Sequence, residues 1–177
     1  MAVTRLYTNP ENAIPHDVAA IGKAREAIDV AAYTLTEPTM IGALVAAAQR
    51  GVSIRLYLDR TEILSEAHHD DTGAKLPIHP MIAMPNVQIR VKRSTILMHL
   101  KGYCVDSQVV RLGSANFSPL GETAQDNEAS WDDDTTQIKL FELKFDQMWN
   151  RTDNLTLQAA VDLTQTERLA VARPHMR

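Results

Sequence analysis

A single cysteine, Cys104, stands in the 177 residues, so no intrachain disulfide can staple this fold. Long apolar runs are missing too. Nothing approaches the roughly 20 residues that a membrane-spanning helix needs. Met1-Ala2-Val3-Thr4-Arg5 has no continuous apolar stretch, so no export signal is expected. Cytoplasmic residence is the default, with the periplasm or export open if a signal has been removed. An excess of positive charge is also lacking: the net charge is −4. Any binding to a nucleic-acid backbone must therefore rest on a local basic patch. Arg90, Lys92 and Arg93 form one such run, as a weak substrate-binding candidate, and a solubilising edge is its bland alternative. His68, His69, Asp70, Asp71 and His79 cluster in a segment, but without any recognised zinc spacing, and no metal ligand is assigned. No repeat, low-complexity tract or linker divides the chain.

What is present suits one domain, 1–177, with a sizeable core. Hydrophobic residues make up 45% and charged residues 23%. Apolar residues at 14, 18, 21 and 28 follow a helical period, with Pro15 tolerable in the first turn. Asp29 to Leu35 reads as a buried strand, Met40 to Gln49 as a helix ended by Gly51, and Val52 to Leu58 as a second strand. A strand–helix–strand succession of this kind implies a parallel pair with a right-handed crossover. Arg60 to Pro85, with Gly73, Pro77, Pro80 and Pro85, is expected to be a loop over the mouth of the site. Asp134-Thr135 can cap a core helix carrying Ile138, Phe141, Phe145, Met148 and Trp149. Leu155 to Val171 reads as a further helix in a tail, 152–177, of open role. The fold class is α/β: a mixed, partly parallel central sheet flanked by helices on both faces.

The most informative stretch runs from Ile96 to Asn116. An apolar run to Val105, a break at Asp106-Ser107-Gln108 and a second run from Val109 read as a hairpin. Alternation puts His99, Lys101 and Tyr103 on one strand face, and Cys104 opposite them, where packing is its expected role. With Ser107-Gln108 as a two-residue loop, Lys101 lies opposite Ser114 and His99 opposite Asn116. Ser-Gln is not the Asn-Gly pair that best fixes such a loop. An imidazole, an ammonium, a hydroxyl and an amide then share one face, which suits a phosphate group attacked by His99 while fixed donors hold its oxygens. On these residue types alone, a wet amphipathic hairpin is the competing reading.

The spacing adds to this. His99-x-Lys101, four residues, Asp106, six residues and Gly113-Ser114-x-Asn116 resemble the HKD motif of the phospholipase D superfamily. Ala32-Tyr33-Thr34-Leu35-Thr36, Leu44 to Ala48, Arg50-Gly51-Val52 and Leu58-Asp59 resemble the segments before that motif. Asn116-Phe117-Ser118, Gly121-Glu122-Thr123 and Asn127-Glu128-Ala129 resemble those after it. The likeness covers roughly 15–150 and is closest to the small single-motif bacterial endonucleases. It implies that Glu128 hydrogen-bonds and orients the catalytic imidazole, with Glu122 the competing assignment. A solvated surface glutamate is the alternative for both. Asp106 and Gly113 are given supporting, structural tasks.

One motif implies two chains. In-line displacement at phosphorus needs an attacking group and an acid on opposite sides. His16, His68, His69, His79 and His175 lack comparable surroundings, so a twofold dimer sharing one composite site is expected, and the resemblance implies the same. The scheme calls for no cofactor and no metal. DNA is the first substrate class, ahead of RNA. Phospholipid is the alternative, for which Met81, Ile82 and Met84 would supply an apolar rim, and a non-catalytic nucleic-acid-binding module is the third reading.

Overall fold

The computed structural model describes residues 3–62 and 76–171. Its frame is one mixed sheet built from β1 (Val3–Tyr7), β2 (Ala27–Ala32), β3 (Ser53–Leu58), β4 (Val87–Val91), β5 (Lys101–Val105), β6 (Val109–Gly113) and β7 (Glu128–Asp132). The strand order is β1-β7-β6-β5-β2-β3-β4. β2, β3 and β4 run parallel, while β5, β6, β7 and β1 add on antiparallel to their neighbours. The helices are α1 (Ile14–Lys23), α2 (Pro38–Gln49), the short α3 (His79–Ile82) and α4 (Pro119–Thr123), α5 (Thr135–Trp149) and α6 (Leu157–Val171). This is the partly parallel α/β architecture that the residue pattern implied.

Alternation along the central strands feeds two cores. On one face Ile28, Val30, Ala32, Leu56 and Tyr103 pack with Ile21 of α1 and Met40 and Leu44 of α2. On the other, Ala31, Tyr57, Cys104 and Val110 meet Ile138, Phe141, Phe145, Met148 and Trp149 of α5. The α5 stripe is the one expected. Asp134 caps it by accepting from Thr136 N at 2.8 Å and Gln137 N at 3.1 Å. Each large apolar side chain so buried contributes on the order of 2 kcal/mol. Cys104 is a packing residue, and burial pushes its thiol up to about 12.

Four elements differ from the sequence reading, the first being α3, a single turn within the 60–85 stretch expected to be loop. α1 stops at Lys23, and Ile28 belongs to β2. The break comes from outside the helix, because the Asp106 carboxylate accepts from Arg25 N (2.8 Å), Glu26 N (2.9 Å) and Ala27 N (2.8 Å) and fixes the extended entry into β2. The hairpin loop holds three residues, since Val105 pairs with Val109. Asp106 and Ser107 take φ of 51° and 53°, and Gln108 N donates to Val105 O at 2.9 Å. β1 was not anticipated, and it closes the sheet against β7.

The C-terminal segment docks on the opposite edge. Leu155 exchanges two main-chain hydrogen bonds with Val91, each 2.9 Å, and Ala160 of α6 is fully buried. Among the described residues no helix is long and apolar enough to cross a membrane.

Candidate active site

Topology brings His99, Lys101, Gly113 and Ser114 together at one end of the sheet. Ala32 of β2 pairs with both Leu58 of β3 and Lys101 of β5, and Gly113 of β6 pairs with Ala129 of β7. The carboxyl ends of β2, β3 and β6 thus meet the amino ends of β5 and β7. An open cavity of about 450 Å³ there is lined by His99, Lys101, Leu112, Gly113, Ser114, Glu128 and Ser130.

His99 lies just ahead of β5, not within it, because the strand begins at Lys101. Its backbone is nonetheless held on several sides. Met98 N donates to Asp59 Oδ2 at 2.6 Å, Lys101 Nζ donates to His99 O at 2.8 Å, and Tyr33 N donates to Leu100 O at 2.9 Å. The exposed imidazole leans on the Tyr33 ring, with centroids 4.6 Å apart at 59°. Lys101 Nζ sits 4.6 Å from the same ring centroid. Burial pulls the Lys101 ammonium down to about 8, against the carboxylates of Glu62 and Asp59, which favour its charge. Burial, then the Glu62 carboxylate, push the Tyr33 phenol up to about 12, so it stays protonated across neutral pH.

The one-residue change in hairpin register places Lys101 level with Gly113 and not with Ser114. Ser114 still reaches the cavity because the chain turns at Gly113, whose φ is 152°. A Cβ there would stand 2.1 Å from Glu128 O. Ser114 N and Ala115 N both donate to Glu128 O, at 2.9 and 3.3 Å. Ser114 Oγ accepts from Glu128 N at 3.0 Å and donates to Asn127 Oδ1 at 3.0 Å. Asn116 is half-buried and does not line the cavity, and its Oδ1 has no hydrogen-bond partner.

Glu128 lines the cavity, but its carboxylate is engaged elsewhere. Arg5 Nε pairs with Oε1 at 3.0 Å, and no hydrogen bond joins Glu128 to His99. Arg5 faces Ser130 across the β1–β7 ladder, so Glu128 is its diagonal neighbour on the same face. Glu122 is no surface residue: it is 1% exposed and binds Arg111 Nη2 at 2.9 Å. Asp106 lies at the far end of the hairpin, where its three amide bonds outweigh burial and hold its carboxyl below the usual range.

The basic run is largely committed to structure. The Arg90 guanidinium stacks 4.5 Å from the Trp149 ring centroid and donates to Trp149 O. It is therefore unavailable to a substrate phosphate. Lys92 donates to Ile96 O and, at 3.3 Å, to Leu97 O, while Arg93 is exposed. Met81, Ile82 and Met84 do not rim the site. They precede the amino end of β4, with Val87 N donating to Met84 O at 3.1 Å, at the opposite end of the sheet, and Met81 is fully buried. Ile96, 76% exposed, and Leu97, 45% exposed, are the apolar residues next to His99. His68, His69, Asp70, Asp71, Gly73 and half of the expected covering loop lie outside the described residues, as does His175.

Tyr33 and Asp59 are among the site residues that carried no assigned role in the sequence reading. Each follows a buried parallel strand, which is the available signal, since loops leaving strand ends carry ligand sites in sheets of this type.

Comparison with known proteins agrees with this arrangement. Residues 18–149 match the family model described as "Cardiolipin synthase, PLD-like domain". The crystal structure of Nuc, a phospholipase D family member from Salmonella typhimurium, superposes with a TM-score of 0.72 at 25% identity, covering 88% of this chain and 98% of that one. NucT from Helicobacter pylori gives 0.72 at 20% identity, covering 84% and 95%, which speaks for the fold alone. Among sequences, a mitochondrial cardiolipin hydrolase of Xenopus laevis is 23% identical over 150 residues, 81% of this chain and 67% of that protein. A phospholipase D of Rickettsia prowazekii is 28% identical over 118 residues, 66% of this chain and 52% of that protein. The chain thus spans between about half and two thirds of these sequence relatives. With three quarters of its length matched by the family model and His99, Lys101, Gly113 and Ser114 of the motif gathered at one end of the sheet, the chain belongs to the phospholipase D-like (HKD) family.

Proposed function

We propose that the protein is a phosphodiesterase that cleaves DNA with little sequence preference, through a covalent intermediate on His99. The observation that carries this reading is the convergence of His99, Lys101, Ser114 and Glu128 on one open cavity. The family membership and the 88% coverage by the Nuc fold support it. An exposed imidazole beside a desolvated ammonium is the pairing that nucleophilic attack on a phosphodiester calls for.

The imidazole nitrogen of His99 attacks phosphorus, and the phosphorus–oxygen bond to the departing group breaks as the new nitrogen–phosphorus bond forms. The leaving oxygen keeps the bonding electrons and takes a proton from the partner subunit's His99. Water then attacks phosphorus from that side, giving a proton to the same imidazole, and the nitrogen–phosphorus bond breaks to release the product. Lys101 and Ser114 hold the phosphoryl oxygens. This scheme makes the homodimer the active species, because one chain supplies a nucleophile and no acid on the leaving-group side.

A lipid phosphodiester is the second reading, favoured by the exposed pair Ile96 and Leu97 beside His99 and by the cardiolipin hydrolase relative. The test is nicking of supercoiled plasmid by purified protein in excess EDTA, with His99→Ala in parallel. Conversion by wild type alone is the expected outcome. No conversion, together with His99-dependent headgroup release from phospholipid vesicles, would give the site to the lipid substrate. Cleavage by both proteins would remove His99 from the chemistry.

A further inference from the structure

Beneath the candidate site lies a dry cluster of charges that the sequence reading did not assemble. Asp17 of α1, Arg111 of β6 and Glu122 of α4 are each 1% exposed or less. Arg111 Nη2 binds Glu122 Oε1 at 2.9 Å, and its Nε lies 3.7 Å from Asp17 Oδ1. The Asp17 Oδ1 atom also accepts from Tyr103 OH at 2.7 Å and Trp131 Nε1 at 3.0 Å. Phe117 closes one side, its ring centroid 4.5 Å from the guanidinium. Glu37, the N-cap of α2, adds a further negative charge near Glu122, and His16 stacks on Trp131 at 5.0 Å.

Charge and hydrogen-bond counting agree that one proton is missing from this description. One guanidinium neutralises one carboxylate, and two ionised carboxylates in a dry pocket would leave an uncompensated charge. As plain acceptors, Asp17 Oδ2 and Glu122 Oε2 are both left without partners. Yet the two carboxyl groups are neighbours, gathered around the one Arg111 guanidinium. A single proton between them satisfies both atoms and makes the triad of Asp17, Arg111 and Glu122 neutral. Burial, opposed by Arg111, pushes Glu122 up to about 8 and raises Asp17 as well.

The neutral cluster reaches the site through Arg111. Its Nη1 donates to Lys101 O at 2.9 Å and to Ala115 O at 3.1 Å. Those carbonyls belong to the phosphate-holding lysine and to the residue between Ser114 and Asn116. We propose that Asp17 and Glu122 share one proton and, through Arg111, act as positioning residues that fix the backbone of Lys101 and of the Ser114–Asn116 turn. Loss of the proton leaves a buried negative charge competing for Arg111, and both carbonyls lose their anchor. The functional half of this inference rests on the reading of the site given above, while the shared proton does not.

The decisive experiment is urea unfolding of the full chain at a series of pH values, comparing wild type with Glu122→Gln and Glu122→Ala. The glutamine amide can donate to Asp17 while its oxygen still accepts from Arg111, so it mimics the protonated acid and cannot titrate. In wild type the folded state holds a proton that the unfolded chain releases. Stability should therefore fall as pH rises from about 4.5 towards about 8, by up to about tenfold in the unfolding constant per pH unit. Glu122→Gln should lose that slope, and Glu122→Ala should be weaker at every pH because Arg111 and Asp17 lose their partner. A Glu122→Gln slope equal to that of wild type would overturn the shared proton, even if Glu122→Ala fails to fold. On a phosphodiester substrate, loss of the Lys101 charge slows both proteins above about pH 8, and kcat of wild type should drop further than that of Glu122→Gln. An identical drop in both would overturn the positioning role. Turnover of no phosphodiester by wild type would sink the proposed activity and leave the unfolding comparison to decide the proton.

Discussion

Gly113→Ala offers the sharpest check on how the site is built. The added Cβ would meet Glu128 O at 2.1 Å, Glu128 C at 2.9 Å and Ala129 Cα at 3.0 Å, all backbone atoms of β7. Ordinary contact begins near 3.4 Å, so β6 and β7 would have to part by on the order of 1 Å. The φ of 152° adds strain that only glycine escapes. Overpacking and backbone strain each cost about 1–3 kcal/mol, so a loss of about 2–6 kcal/mol in urea unfolding is expected. The functional loss should be larger than stability alone implies. Ser114 N, Ala115 N and Ser114 Oγ all bond to the main chain of Glu128, so parting the strands shifts Ser114 against His99. A misplacement of about 1 Å lowers a rate by about 100-fold. The assay is plasmid cleavage under conditions where unfolding shows the variant fully folded. Gly42→Ala, in α2 with nothing within 4 Å of its Cβ, serves as the control and should be neutral or stabilising by up to about 1 kcal/mol. Wild-type stability and rate in Gly113→Ala would refute the account of why the chain turns there.

Two further outcomes follow from the charges. The Lys101 ammonium, pulled down to about 8, should lose its grip on substrate above that pH, raising KM, whereas Lys101→Met should show a high KM with no such rise. Its contribution to stability has the opposite sign to that of Glu122: from about pH 8 towards 10.5 the unfolded chain binds more protons, so stability rises with pH in that window. Asp106→Ala should destabilise by about 1–3 kcal/mol, because three amides lose a charged acceptor. Since its carboxyl is held below the usual range, the gap from wild type should narrow as pH falls below about 4, read by urea midpoints at pH 7 and pH 3.

How far the sequence could be read depends on the range of each interaction. The His99–Asn116 spacing identified the family and the α5 periodicity identified a core helix, because both patterns are local. The hairpin register was missed by one residue, since Asp106 and Ser107 adopt positive φ and the loop takes three residues. That turn is stabilised by Asp106 bonds to residues about 80 positions away, which no local rule registers. Glu128 was expected to hold the imidazole, but its partner Arg5 sits on β1, a strand with little alternation to announce it. Asp17 was not singled out, because in the sequence it is one acidic residue in the first turn of a helix. Only the folded sheet brings it to Arg111 and Glu122.

The docking of Leu155 on Val91 has a consequence for solubility. β4 is the last strand on its side, and an uncovered edge strand offers free main-chain donors and acceptors to any other extended chain. Leu155 occupies that position at Val91 with a pair of hydrogen bonds, and α6 packs beside β4. A chain cut after residue 149 would keep every residue matched by the family model and lose this cover. Such a truncation would be a template for intermolecular strand addition, failing by aggregation before its chemistry could be measured.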